Sequence, residues 1–272
     1  MPVAEGGFSN PSFGYGAEGE DTAMDAEFVN LTPDNLAQEH LCCIIRTKKL
    51  HPGVEAKRTW LAERLKEGHV FRKLNIKGCV FIEYAPLETA WVPVVGDNFY
   101  YIYCLWVQGA PKGQGYGRQL MEYCIADAKA HGKSGVCMLG AAKQKSWLSD
   151  QNFAKKYGFR TVDSTADGYE LLALSFDGTA PRFAPNAKNQ TIDSRELTVY
   201  YDDQCPYIPQ RIGKLREYCT EKDIPATFIH VDTPEQAKGL PGVFNNWAVF
   251  YDGKFVTVNQ LDGASVEKIL KR

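Results

Sequence analysis

The sequence predicts an α/β protein built in two units, and three observations carry that expectation. Between Ala26 and Phe176, apolar spacings of period two and period 3.6 alternate along the chain. The stretch 177–193 then turns rich in Gly, Pro and Asn (Gly178, Pro181, Pro185, Asn186, Asn189), and a second alternation begins at Glu196. A length of 272 residues agrees with two domains at roughly 150 residues each.

Each element follows from local chemistry. Residues 1–24 hold no Lys or Arg and no apolar segment of the kind a secretion signal needs; their Gly, Ser, Asn and acidic content predicts a disordered leader. The alternation from Glu27 to Leu31 reads as a strand. Thr32-Pro33-Asp34-Asn35 offers an N-cap with Pro at the first helical position, which predicts a helix to about Cys43. A second helix is expected from Val54 to Glu67, with Val54, Leu61 and Leu65 on one face and Gly68 as its stop. Residues 71–74 and 78–84 read as strands, the second closed by Pro86. Residues 98–107 form the strongest strand by aromatic and β-branched content. A glycine-rich turn at 109–117 leads into a helix to about His131, striped by Leu120, Met121, Cys124, Ile125 and Ala128. A short buried strand at 136–139, a helix at 147–157 stopped by Gly158, and strands at 159–162 and 169–176 close the first unit.

In the second unit, strands at 197–201 and 227–231 enclose a helix at 206–219. Strands at 247–251 and 254–258 flank Asp252-Gly253, a type I′ hairpin signal, and a helix at 265–270 ends the chain. A unit of about 77 residues would bury only about 60% of its surface alone and is expected to dock on the first. The expected boundaries are a leader at 1–24, a first unit at 25–177, a linker at 178–195 and a second unit at 196–272.

Composition narrows the function. With 31 Lys+Arg against 33 Asp+Glu, the formal net charge of −2 argues against a nucleic-acid binder. No run approaches the roughly 18 apolar residues of a membrane-spanning helix, so no membrane partner is expected, and the protein is expected to be cytoplasmic. Eight cysteines occur without a C-x-x-C pair, and Cys42, Cys43, Cys79, Cys104, Cys124 and Cys137 read as small buried apolar residues. The histidines at 40, 51, 69, 131 and 230 show no ligand spacing, so no metal is expected.

The chemistry is concentrated in Lys112-Gly113-Gln114-Gly115-Tyr116-Gly117, between the strongest strand and a well-striped helix. Glycines there let backbone N–H groups approach an anion, and the helix start adds partial positive charge. The spacing is a phosphate or pyrophosphate cradle. A dinucleotide loop needs a third Gly where Arg118 stands, and a P-loop ending at Gly132-Lys133-Ser134 needs a Gly where Asp127 stands.

Strand, then (Arg/Gln)-x-x-G-x-G/A, then helix is the acetyl-CoA signature of the GNAT acetyltransferases. Residues 112–117 resemble it, with Lys112 in the place usually held by Arg or Gln, a point charge in place of a planar fork. Residues 152–159 (Asn-Phe-Ala-Lys-Lys-Tyr-Gly-Phe) resemble the segment that follows it in that family. More closely, the chain resembles the YoaP-type acetyltransferases, through residues 81–86, 104–107, 148–150 and 200–206. The resemblance implies a GNAT fold, a mixed and mostly antiparallel sheet with flanking helices, followed by a small thioredoxin-like α/β domain. It implies acetyl-CoA as co-substrate, held by Leu105, Trp106, Val107, Lys112, Gly113, Gln114, Gly115, Tyr116, Gly117, Arg118 and Asn152. The acceptor would be a small-molecule or peptide amine, and the oligomeric state stays open.

The tyrosine that commonly serves as acid in the family is replaced by Ala154, and Tyr157 reads as a packing residue. Glu83 and Glu88, flanking the strand end near Pro86, are the candidate bases, against a reading as solvated surface carboxylates. Trp60, Trp91 and Trp106 could line an acceptor pocket or fill the core, and Tyr101, Tyr103 and Cys104 read as core. Cys205-Pro206-Tyr207-Ile208 is similar to the glutaredoxin C-P-Y-C site with Ile208 in place of the second cysteine. Two rival functions therefore stand beside acetyl transfer: a non-catalytic acetyl-CoA-binding regulator, and a monothiol redox protein using Cys205.

Overall fold

The computed structural model describes residues 27–41, 51–76 and 78–271. The leader expected at 1–24, and Cys42 and Cys43, lie outside the described residues. In chain order the elements are β1 (Phe28–Asn30), α1 (Gly53–Leu65), β2 (Val70–Leu74), β3 (Cys79–Pro86), β4 (Val94–Val95), β5 (Phe99–Gln108), α2 (Tyr116–Ala130), β6 (Gly135–Ala141), α3 (Gln151–Lys156), β7 (Arg160–Ser164), β8 (Tyr169–Ser175) and β9 (Arg182–Phe183). A 3-10 turn at Pro185–Lys188 precedes β10 (Leu197–Tyr201), α4 (Ile208–Glu221), β11 (Ala226–His230), α5 (Pro234–Gly239), β12 (Trp247–Tyr251), β13 (Lys254–Thr257) and α6 (Gly263–Leu270).

The large sheet has seven strands in the order β1-β2-β3-β5-β6-β8-β7. Every neighbouring pair is antiparallel except β5 and β6, which run parallel. That parallel pair forms because α2 carries the chain back along the sheet before β6 starts. Helix α2 lays Leu120, Met121, Cys124 and Ala128 on the face that shows Val80, Ile82 and Tyr84. Helix α1 covers the opposite face, where Trp60 and Leu61 meet Phe71 and Phe81. The strand order of the smaller sheet is β11-β10-β12-β13, with β10 and β11 parallel and the other pairs antiparallel. Asp252 (φ +48°) and Gly253 (φ +73°) make the expected turn between β12 and β13.

Several boundaries differ from the sequence expectation. The helix expected from Thr32 is absent over 32–41: residues 33–38 form separate turns, and the Asn35 side chain accepts the Thr32 N–H at 2.8 Å. Among the described residues two i→i−4 backbone bonds form there, Leu36 N–H to Thr32 O and Glu39 N–H to Asn35 O, too few to propagate a helix. Helix α3 starts at Gln151 and not near Trp147, because Asp150 caps it by accepting the N–H groups of Asn152 and Phe153. Helix α4 starts at Ile208 and not at Pro206, leaving Cys205 a turn ahead of it. Residues 178–195, read as a linker, form a packed strap: β9 pairs with β4, and Phe183, Ala184 and Ala187 are buried. Helix α5 had no expectation in the sequence.

The two sheets share apolar cores. Leu87, Ala90 and Tyr101 beside the large sheet pack in one cluster with Val243 and Val258 from the C-terminal segment. Trp91 sits in another with Val231, Phe244 and Phe250. The expected docking of the C-terminal segment is therefore extensive.

Candidate active site

The glycine loop owes its shape to two residues with positive φ, Gly113 (+87°) and Gly115 (+81°), a region that costs other side chains energy. A Cβ built at either position meets nothing within 4 Å, so the space in front of the backbone is open. Gln119 N–H is the first in α2 to reach an acceptor, Gly115 O at 3.2 Å, so the N–H groups of Tyr116, Gly117 and Arg118 precede the hydrogen-bonded helix. At Gly117 an added Cβ would stand 3.5 Å from the Phe153 ring and 3.7 Å from Val107, which shows that β5, α2 and α3 converge here. Backbone geometry and dipole suit this turn to an anion. Lys112, Arg118 and Asn152 are exposed around it, Gln114 ties the loop by donating to Ala110 O at 2.8 Å, and Tyr116 turns aside onto Phe28.

From the loop the sheet opens. Strands β5 and β6 are paired only from Phe99↔Gly135 to Ile102↔Met138, although β5 continues to Gln108 and β6 to Ala141. Beyond Ile102 and Met138 they part. Ser149 Oγ accepts the Leu105 N–H at 2.9 Å, and Gln151 Oε1 accepts the Ala141 N–H at 2.6 Å, so one short segment bridges the narrow end of the gap. The Val107 N–H points the same way as that of Leu105 by strand alternation and meets no acceptor among the described residues. An open backbone edge beside an anion cradle fits a long ligand with a phosphorylated head and an amide-bearing arm.

On the other face of the sheet, where Phe81 and Glu83 point, lies a cavity of about 560 Å³. The large sheet contributes Phe81, Glu83, Tyr103, Cys104, Trp106 and Gln108 to its wall, and Lys57 comes from α1. The C-terminal segment closes it with Gln204, Cys205, Tyr207, Asn245, Asn246 and Gln260. Tyr103 is the extra residue of a β-bulge, since Glu83 pairs with Cys104 but Tyr84 with Ile102. The bulge brings both Tyr103 and Cys104 to the cavity wall.

Glu83 is buried and saturated with partners. Lys57 Nζ and His69 Nε2 (2.8 Å) meet its Oε1, and Gln204 Nε2 donates to its Oε2 at 2.8 Å. Burial pushes the Glu83 pKa up, but the Lys57 charge and the His69 bond outweigh it and hold the carboxyl below its ordinary value. Burial lowers His69, which stays neutral and donates through Nε2 to the carboxylate. The Lys57 ammonium also lies 4.7 Å from the Trp60 ring centroid, a cation–π contact that helps offset its desolvation. Behind this cluster, Asp202 Oδ1 accepts the Gln204 N–H at 2.9 Å while burial pushes its carboxyl up to about 7.

Of the two candidate bases, the structure brings only Glu83 to the cavity. Glu88 is exposed and accepts the Asn98 N–H at 2.6 Å. Of the three tryptophans, Trp106 lines the cavity, while Trp60 and Trp91 pack edge-to-face in the core, 6.0 Å apart. Ala154 is fully buried and Tyr157 packs on Phe153 at 5.1 Å. Sequence reasoning missed Lys57, His69, Gln204 and Gln260; each reads locally as an ordinary polar residue, and only the long-range fold joins them. Among the described residues no group of His, Cys, Asp or Glu could hold a metal ion, and no helix is long and apolar enough to cross a membrane.

Comparison with known proteins adds the following. Residues 38–159 match the model of the Acetyltransferase (GNAT) family, and residues 225–271 match the YoaP-like model. A protein of Bacillus subtilis (strain 168), described as "Uncharacterized N-acetyltransferase YoaP", is 38% identical over 245 residues, covering 89% of this chain and 98% of that one. Among solved structures, a GNAT family acetyltransferase from Brucella melitensis in complex with acetyl-CoA aligns with 16% identity and a TM-score of 0.38, covering 58% of this chain and 92% of that one. The PaiA N-acetyltransferase of Thermoplasma acidophilum in complex with coenzyme A gives 12% identity and a TM-score of 0.39, over 56% of this chain and 100% of that one.

Proposed function

Because the chain belongs to the GNAT acetyltransferases of the YoaP type, and with them is an acetyl-CoA-dependent N-acetyltransferase, we propose that it acetylates a primary amine seated in the cavity between its two sheets. The observation that carries the reading is an anion cradle on one face of the sheet and a buried carboxylate on the other, with parted strands between them. Acetyl-CoA supplies a thioester, at whose carbonyl carbon the C–N bond forms as the C–S bond breaks and the thiol leaves. The backbone amides of 113–118 would hold the pyrophosphate, with Lys112 and Arg118 adding exposed positive charge. The edge of β5 at Leu105, Trp106 and Val107 would take the arm, with Asn152 beside it on α3.

Glu83 takes a proton from the acceptor ammonium, which frees the nitrogen lone pair that forms the C–N bond. The second proton, shed as the nitrogen becomes an amide, goes to the departing thiolate. Lys57 and His69 keep that carboxylate ionised and fix its orientation. The acceptor on this reading is a small molecule or an exposed peptide amine. We assign the acetyltransferase unit to 25–177 and an accessory unit to 196–272, joined by 178–195. The order β11-β10-β12-β13, with a parallel first pair and α4 after β10, supports a thioredoxin-like accessory unit.

Replacing Glu83 with Gln is expected to lower turnover about 100-fold with acetyl-CoA affinity unchanged. That change strands the Lys57 charge, so the double variant Lys57→Met/Glu83→Gln restores the fold and remains slow. Glu88→Gln keeps wild-type turnover. Full activity in a folded Glu83→Gln variant overturns the assignment of the base.

A further inference from the structure

Gln260 lines the cavity from the C-terminal segment and is only 7% exposed. Its Nε2 lies 3.5 Å from Cys205 Sγ, while its Oε1 is buried and accepts no hydrogen bond among the described residues. A buried acceptor without a donor is uncommon and costly, and at a cavity wall it marks where a ligand donor belongs. The other polar amides there are spoken for. Asn245 accepts from Tyr101 Oη and donates to Tyr103 O, and Asn246 donates to Gln204.

Charge and shape restrict the rest of the ligand. Among the described residues, the formally charged ones in the lining are Lys57 and Glu83, one of each sign. One carboxylate can meet a single amine, but a polycation or a phosphorylated body would find too little counter-charge there. Trp106 and Trp147 are 40% and 45% exposed, both on this wall, with Tyr207 packed edge-on to Trp147 at 6.2 Å. Exposed tryptophans beside a cavity offer flat apolar faces.

Resting on the reading of this cavity as the acceptor site, we propose that the acceptor is a primary amine carried on an uncharged flat ring bearing a second hydrogen-bond donor, and that Gln260 Oε1 selects for that donor. The amine end faces Glu83, the ring lies against the aromatic wall, and a hydroxyl or amide N–H reaches Gln260. The accessory unit thereby sets specificity for a reaction whose base stands on the other sheet. A site built to bond a substrate hydroxyl discriminates strongly against the analogue that lacks it.

The test uses the full chain, acetyl-CoA and three amines: tyramine, phenethylamine (the same ring and amine without the hydroxyl) and spermidine. Release of CoA thiol is expected to give kcat/KM at least ~10-fold higher for tyramine than for phenethylamine. Gln260→Met removes the acceptor at similar volume and should erase that preference by raising KM for tyramine, with kcat and acetyl-CoA affinity little changed. Gln260→Glu keeps an acceptor oxygen and should retain the preference. Equal rates for the two ring amines, a preference that survives Gln260→Met, or spermidine outrunning both overturns the inference. Transfer to none of them with acetyl-CoA still bound also overturns it, leaving the cradle assignment intact. Failure to bind acetyl-CoA overturns the underlying reading and this inference with it.

Discussion

Gln204 donates through Nε2 to Glu83 Oε2 at 2.8 Å, a bond between residues 121 positions apart. The same Gln204 accepts from Asn246 Nδ2 at 2.6 Å, so the carboxylate of one sheet is held by a network rooted in the other. Gln204→Ala removes a bond to the charged form of Glu83, and its pKa should rise accordingly. The acidic limb of the pH–rate profile is then expected to move to higher pH, with kcat lower and acetyl-CoA affinity unchanged. An unmoved limb shows that Gln204 does not tune the base.

Gly115→Asp places a side chain and a negative charge in front of the cradle at a backbone angle, φ +81°, that disfavours any L-residue. Acetyl-CoA affinity is expected to fall at least 10-fold, about 1.4 kcal/mol. Calorimetric titration of the folded variant checks this, and unchanged affinity removes residues 113–118 from the site.

Asp202 is pushed up to about 7 from an ordinary 3.8, chiefly by burial. Between those values the folded protein keeps a proton that the unfolded chain has released. Stability therefore falls as pH rises through this window, by at most about 1.4 kcal/mol per pH unit, and the loss is complete above the folded value. Asp202→Asn cannot ionise, so it should gain on the wild type between pH 5 and pH 8. Urea midpoints at the two pH values decide it; the same difference between variant and wild type at both means Asp202 stays equally protonated in the two states.

Tyr101 Oη donates to Asn245 Oδ1 at 2.7 Å in the buried interface between the sheets. Asn245→Leu leaves the hydroxyl proton without this acceptor, at an expected cost of about 1–3 kcal/mol beyond the loss of packing. Adding Tyr101→Phe should recover part of it, because the orphaned donor is gone. A double variant as unstable as the sum of the singles shows that the two groups are energetically independent.

The strand, glycine turn and helix proposed to hold the co-substrate were legible in the sequence because they are adjacent. The aromatic strand, the glycines at 113, 115 and 117 and the stripe of α2 fall within some thirty consecutive residues, and local pattern sufficed. The cavity was not legible in this way. Lys57 reads as a solvated helix charge, and nothing nearby in sequence says that Glu83 waits beneath it. Gln204 and Gln260 face the site only because the C-terminal sheet docks, a contact of high sequence separation. The failed helix at 32–41 is a different case: Thr32 and Asn35 make the cap that the sequence signals, but the turns after it do not propagate.

The parting of β5 from β6 leaves an unfinished strand edge in the middle of a sheet, where edges are ordinarily absent. Such an edge is a template for a stray strand, and proteins usually blunt theirs at the outer rim. Here Ser149 and Gln151 do the blunting from within, each taking a ladder N–H with its side chain. What they leave uncovered at Val107 makes the interior of this protein locally as labile as a margin. Its amide should exchange with deuterium early in the bare enzyme and slow once the co-substrate's arm is in place.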